Sequence, residues 1–533
     1  MRFLRHGFSA LLSTLLPVLL PALISALLSA AIFCATVFGF PATVHARDGM
    51  GGFDGTGISQ GEIVGRTTLD YQEYIFITGK PVLLKGSLTI GKSVSDNTML
   101  STFSYRLNSL NPMIQLTREF SFETVSTPKD NGQTVTETHY IREPSERINI
   151  GGETFTLRSF DFTRTSLIDE KPAVAYYSGN TWYRKQYEIG GGASTVNSGN
   201  FVTVEATGEF YGFDQHWGNA DVETTNLIVD YQRGVGDEAE HWSGTATVTR
   251  SQSTVTELRY VLNEPNAISF RGGFLETKRN DNILEYTARM PEFDSAGIST
   301  DRIERFADSI QIETFPSAKR LISPDLRQIR GHWAEESISK LFGLEILYGG
   351  SAEFIPDQFI TRAQFTDAVV GAAKVIPKDP FVKEARKSSS SRGKNTEPIQ
   401  SFSDVPATHA NFAQIEEAFS RGLLTPMSRD HFEPNGNLTV ADAAVVFIRA
   451  MGLQAVASYH GAITNYADDD SIPDYAREAL YVCQDIGLLL GDQNGNINPA
   501  KRLTNGEAAV MIDRFVEYMR EDLKADYRER ILN

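Results

Sequence analysis

Residues 332–365, 409–445 and 474–510 spell one pattern three times. Each copy opens with an amphipathic helical stretch that stops at a glycine (Gly343, Gly422, Gly487). A polar turn then closes on a proline (Pro356, Pro434, Pro499), and a threonine (Thr361, Thr439, Thr504) starts a second apolar helix. One such two-helix unit cannot bury its apolar face alone, so the copies must stack on one another. The repetition therefore predicts an all-α assembly over the last third of the chain.

Within each copy, the group three residues after the threonine can reach back to it: Gln364, Asp442 or Glu507. This is the spacing of a capping box, so Thr361, Thr439 and Thr504 are expected first of all as helix caps. Asp404 and Asp468 stand just ahead of helical stretches and are expected to cap as well.

At 533 residues the chain exceeds what one core supports. Residues 1–46 read as a signal peptide. Arg2, Arg5 and His6 form a basic start, residues 8–40 carry no charge, and Val44, His45 and Ala46 give a small-x-small exit. The apolar stretch is also long enough to span a bilayer as a retained anchor, but Pro17, Pro21 and the small-residue exit favour cleavage. Cys34 follows the bulky Phe33, a poor fit to lipoprotein processing. Beyond the leader only Cys483 remains, which excludes a disulfide framework in an exported chain. A formal net charge of −17 makes nucleic acid a poor general partner.

Residues 47–60 are glycine-rich and predict a flexible lead-in. From 61 to 292 the hydrophobic period changes to two, in segments such as YIFITG, FVTVEATGEFYGF and GTATVTRS, which predicts β structure. TVTETHYIREPSERINIGG at 134–152 parallels TVTELRYVLNEPNAISFRGG at 254–273. The parallel suggests two duplicated sandwich- or barrel-like modules, 61–175 and 176–292. Residues 301–312, with Ile303, Phe306 and Ile310 on one helical face, predict a connecting helix within a 293–320 linker. The helical copies then occupy 321–376, 401–456 and 457–521, with a basic, serine-rich linker at 377–400 and a tail at 522–533.

These copies resemble S-layer homology (SLH) repeats. That family typically shows an F-x-D-V lead-in, a helix starting H-W-A, a glycine-rich turn ending near F-x-P, and I-T-R-A-E. Here the lead-ins are Gln328-Ile329, Phe402-Ser403-Asp404-Val405 and Tyr466-Ala467-Asp468. The helix starts are His332-Trp333-Ala334, His409-Ala410 and Asp474-Tyr475-Ala476. The last motif appears as Ile360-Thr361-Arg362-Ala363-Gln364, Leu438-Thr439-Val440-Ala441-Asp442 and Leu503-Thr504-Asn505-Gly506-Glu507. The resemblance implies that three repeats pack their first helices into a central bundle, with grooves between neighbours. Those grooves would hold an anionic secondary cell-wall polysaccharide, often bearing ketal-linked pyruvate. It assigns polymer contact to Trp333, Gly349, Arg362, Gln364, Tyr475, Gly491 and Glu507. Arg362 stands out, because capping does not require a guanidinium and its fork suits a carboxylate or phosphate. Trp333 and Tyr475 fit either a sugar platform or core packing. Copy two has Val440 and Ala410 at these positions, and Thr425-Pro426 where the others approach Gly349 and Gly491, so it is expected as a structural wedge.

Other motifs carry little. GDQNGNINP (491–499) lacks the alternating acids of an EF-hand. Asp468, Asp469 and Asp470 read as a solvated turn, with local calcium binding as the alternative. Gly190, Gly191 and Gly192 do not precede a helix pattern, and no H-E-x-x-H or G-x-S-x-G occurs. No catalytic residue, metal or cofactor is expected. The reading is an exported, non-catalytic, S-layer-like surface protein, with self-association into a layer as a further expectation. Its rivals are a wall-anchored polysaccharide hydrolase, using acids such as Glu205, Glu209 and Asp214, and an outer-membrane β-barrel.

Overall fold

Alternation of apolar and polar residues builds the first part of the molecule. The structure, a computed structural model, describes residues 50–527 except 61–66, 111–112, 191–198, 236–238, 262–272, 296, 315, 322–324, 348–352, 377–381, 384–399, 425–429 and 458–461. The leader and the serine-rich linker core therefore lie outside the described residues. One antiparallel sheet contains β1 (Gly57–Ser59), β2 (Thr68–Ile75), β3 (Val82–Ser95), β4 (Thr98–Leu110), β5 (Met113–Pro128), β6 (Gln133–Tyr140), β7 (Ser145–Ile150) and β8 (Glu153–Glu170). It continues through β9 (Val174–Ile189), β10 (Phe201–Gln215), β11 (Gly218–Arg233), β12 (Glu240–Val261), β13 (Gly273–Phe293) and β14 (Ser299–Glu313). β15 (Ser317–Leu321) pairs with β13, and β16 (Val382–Lys383) adds in parallel to β3.

Consecutive strands are neighbours almost throughout, and the sheet rolls until its ends meet. Tyr74 on β2 donates to Asp308 on β14 at 2.8 Å, and its ring lies 4.4 Å from Tyr286 on β13. The inward rows are apolar, such as Ile114, Leu116, Phe120 and Phe122 on β5. The outward rows are polar: Gln115, Thr117 and Glu119 on β5, and Glu285, Thr287 and Arg289 on β13. A membrane barrel needs an apolar outward band. The rows named here are polar and exposed.

Several expectations are corrected. The 175/176 boundary falls inside β9 and 292/293 at the end of β13, so the sheet is continuous rather than two modules. The duplication itself falls partly on 262–272, outside the described residues. Residues 145–150 form β7 between β5 and β8, and Thr254–Val261 pair with β13. Residues 301–312 belong to β14, because pairing along β13 overrides a helical period.

The glycine-rich lead-in is also reversed, since 50–58 is buried inside the rolled sheet. Phe53 stacks on Phe120 and Phe122 (4.5 and 5.4 Å) and meets the edges of Phe103, Tyr105, Phe160 and Phe162. Gly57 N–H closes the loop on the Gly51 carbonyl at 3.1 Å. Gly55 has φ +69, and a Cβ there would sit 1.9 Å from Glu223 Oε2. The glycines serve close approach rather than flexibility. Around this loop buried charges are paired: Arg118 with Glu73 and Glu146, Lys185 with Glu146, Arg164 with Glu223, and Arg250 with Glu223 and Asp221.

The last third is helical: α1 (Glu335–Gly343), α2 (Arg362–Ala372), α3 (Phe412–Ser420), α4 (Val440–Met451), α5 (Asp474–Asp485), α6 (Asn505–Arg520) and the short α7 (Leu523–Asp526). The main helix pairs join the second helix of one copy to the first of the next: α2 with α3, α4 with α5, and α6 with α1. At the centre the buried rings of Phe365, Phe447 and Phe515 meet. The central contacts thus come from second helices, which corrects the expectation of a bundle of first helices.

The C-terminal ends of those second helices abut the rolled sheet. Trp217 Nε1 donates to Ala372 O (2.9 Å), Tyr176 Oη to Met451 O (3.1 Å), and Gln215 Nε2 to Met519 O. Each bond satisfies a carbonyl that a helix end leaves unpaired. Arg520 and Lys524 reach Thr256 O and Ser253 Oγ, and Tyr527 stacks on Tyr176. One apolar core spans this junction.

Candidate functional site

The opposite ends of the second helices carry the repeated motif. Thr361 Oγ1 accepts from Gln364 N–H while Gln364 Oε1 accepts from Thr361 N–H, at 3.2 and 3.0 Å. Thr439 with Asp442, and Thr504 with Glu507, close the same box. The helix starts then link the copies in a ring. Arg362 and Ala363 N–H donate to Gly436 and Pro434 O, Val440 and Ala441 N–H to Lys501 and Pro499 O, and Asn505 and Gly506 N–H to Gln358 and Pro356 O. Short bridges, Thr361 to Asn437, Thr439 to Arg502 and Phe359 to Thr504, repeat the same arrangement.

Three junctions result, each with different chemistry. Between copies one and two, Arg362 is only 8% exposed; its Nε donates to Phe432 O at 2.9 Å and its guanidinium lies 5.2 Å from the Phe432 ring centre. Among the described residues no carboxylate pairs with it. Between copies two and three, Val440 brings no charge, but Lys501 and Arg502 enter from copy three and stand exposed. Tyr475 Oη donates to Asp442 Oδ1 at 3.1 Å, which joins copy three's first helix to copy two's second. Between copies three and one, Asn505 Nδ2 donates to Ile355 O at 2.8 Å, and Lys501 pairs with Glu507 at 2.6 Å. His332 packs beside Gly506 there.

Trp333 and Tyr475 are 65% and 62% exposed, so neither is a core aromatic. Gln364 is exposed at its helix start. Gly491 has φ +83 in an exposed turn. Gly349 and Thr425-Pro426 lie outside the described residues. The structure therefore distributes the expected residues over three junctions rather than one pocket. Lys501 and Arg502 went unnoticed in the sequence, although a Lys-Arg pair directly before the Leu503-Thr504 motif was visible.

Asp404 and Asp468 cap turns, not helices. Asp404 accepts from Phe432 and Glu433 N–H at 2.9 and 2.7 Å, and Asp468 from Ile497 and Asn498 N–H at 2.8 and 2.7 Å. In both turns the residue before the proline is left-handed, Glu433 at φ 59 and Asn498 at φ 53. A β-region conformation is the usual one before proline, so the two carboxylate bonds hold an unfavourable backbone. Burial opposes ionisation of Asp404, but the two amides outweigh it and hold its pKa below the ordinary range. Asp469 accepts from Thr464 and pairs with Arg477 at 3.0 Å. Asp469 is thus engaged within the protein.

A family model for the S-layer homology domain matches residues 328–366 and 401–444. These two segments are S-layer homology domains. The surface-layer 125 kDa protein of Lysinibacillus sphaericus is 24% identical over 206 residues, 38% of this chain and 16% of that protein. A cell surface protein of Thermoanaerobacter kivui is 26% identical over 182 residues, 34% of this chain and 20% of the relative. An endoglucanase of Bacillus sp. (strain KSM-635) is 26% identical over 132 residues, 25% of this chain and 13% of the enzyme. The chain spans only a small part of the length of these relatives. Its S-layer homology domains mark it as a secreted, cell-wall-associated surface protein.

Proposed function

We propose that the helical unit binds an anionic secondary cell-wall polysaccharide at the junctions between its copies and so holds the rolled sheet outward from the wall. The observation that carries this reading is the polarity of the unit. All three second helices turn their capped N-termini to the ring and their C-termini to the sheet. The positive ends of three helix dipoles thus converge where Arg362, Lys501 and Arg502 lie. That local field opposes the chain's overall negative charge. Trp333 and Tyr475 supply exposed ring faces at the same end, where Gln364 and Glu507 close their capping boxes.

The sheet is read as a non-catalytic module. Its buried carboxylates Glu73, Glu146 and Glu223 are engaged in ion pairs, which supports that role. A layer formed by self-association is compatible with it. Sedimentation tests the proposal: the full chain should pellet with polymer-bearing walls and stay in solution with walls stripped of that polymer. Equal pelleting with both wall preparations would reject it.

A further inference from the structure

Away from the ring, the outward face of β8, β9 and β10 carries a shallow groove of about 430 Å³. The strand register places Leu167, Ser178 and Tyr211 on one outward rung and Thr165, Asn180 and Glu209 on the next. One rung further, Trp182 lies between Thr163 and Thr207, and its indole N–H donates to Glu205 at 3.3 Å. Four residues of strand separate the Tyr211 and Trp182 rungs, a span of about 13 Å. The mid-strand Gly179 exposes only its backbone there, because a Cβ would point inward and meet Thr165 O at 2.1 Å and the buried Phe210 ring at 2.5 Å.

The volume lies within the usual range for ligand sites. Two cavities inside the rolled sheet, among the described residues, measure about 40 and 50 Å³. The groove lining contains hydroxyls, an amide and one carboxylate, with the Tyr211 ring at one end and no lysine or arginine; Trp182 stands one rung beyond its other end, and the exposed Arg184 one rung further. Such a strip matches a chain of pyranose rings. Ring C–H faces cover the aromatics, and sugar hydroxyls exchange hydrogen bonds with Asn180, Thr165, Ser178 and Glu209. With no lysine or arginine in its lining, and on a chain of net charge −17, the groove disfavours a polyanion. We propose that this strip binds a neutral glycan strand lying along β9, at a site separate from the ring that faces the wall polymer.

Affinity electrophoresis of the full chain, in native gels containing hydroxyethylcellulose, soluble starch or an N-acetylated chitin derivative, tests this. At least one polysaccharide should retard the wild type. Trp182→Ala and Asn180→Ala, both at outward-facing positions, should keep the wild-type melting temperature and weaken the retardation roughly tenfold. Absence of retardation by all three polymers, or undiminished retardation of both folded variants, would overturn the proposal. Because these gels contain no cell-wall polymer, the result is independent of wall anchoring.

Discussion

Arg362 occupies a position where one side chain has two tasks. Its Nε bond and ring contact join copy one to copy two, so Arg362→Ala should cost about 1 kcal/mol of stability through the lost hydrogen bond. Its effect on wall pelleting should be larger, roughly ten- to hundredfold, while Val440→Ala changes little. Arg362→Lys should restore only part of the binding, because an ammonium lacks the planar fork. Wild-type pelleting by a folded Arg362→Ala would remove this residue from the polymer site. Asp404 belongs to the same scale. Its folded pKa is depressed, so its contribution is full above the unfolded value and is lost as pH falls through the folded one. Asp404→Asn should therefore destabilise by about 1 kcal/mol at pH 7. The gap should close in denaturant titrations at strongly acidic pH. The threonine caps were legible because a capping box is local, three residues long. The aspartate caps were not, since their partners lie 28 to 30 residues away.

Among the elements, the buried loop at 50–58 has the largest predicted effect. Phe53→Ala should remove about 3–5 kcal/mol, measured as a fall in thermal midpoint with loss of the near-ultraviolet aromatic signal. A midpoint within experimental error of the wild type would mean the loop is dispensable. Composition misled here because glycine content reads alike for a flexible segment and for one packed too tightly for side chains. Gly55 against Glu223 is the second case. β14 failed for a similar reason: Ile303, Phe306 and Ile310 satisfy a helical period, yet strand pairing with β13 decides the outcome. The helical character of the last third was legible because each stretch supplies its own start, stop and turn. Its ring of backbone bonds was not legible, since carbonyls carry no side-chain signature.

At the scale of the whole molecule, the junction between sheet and helices can be probed by pH. Burial, reinforced by the positive charges of Lys374, Lys278 and Lys319, holds the His216 pKa down at about 4, against the Val375 carbonyl that favours protonation. The unfolded chain therefore binds this proton at a higher pH than the folded one, and stability should rise between pH about 4 and about 6.5. His216→Gln should flatten that rise relative to the wild type in melts across the interval. Parallel curves would exclude His216 as its source. The seating of three helix C-termini on the sheet through Trp217, Tyr176 and Gln215 has a mechanical consequence. A pull on the sheet passes along three helices in parallel, straight to the turns proposed to grip the wall, with no swivel between them. Drag on the exposed sheet would then be shared by three short load paths instead of peeling one contact at a time.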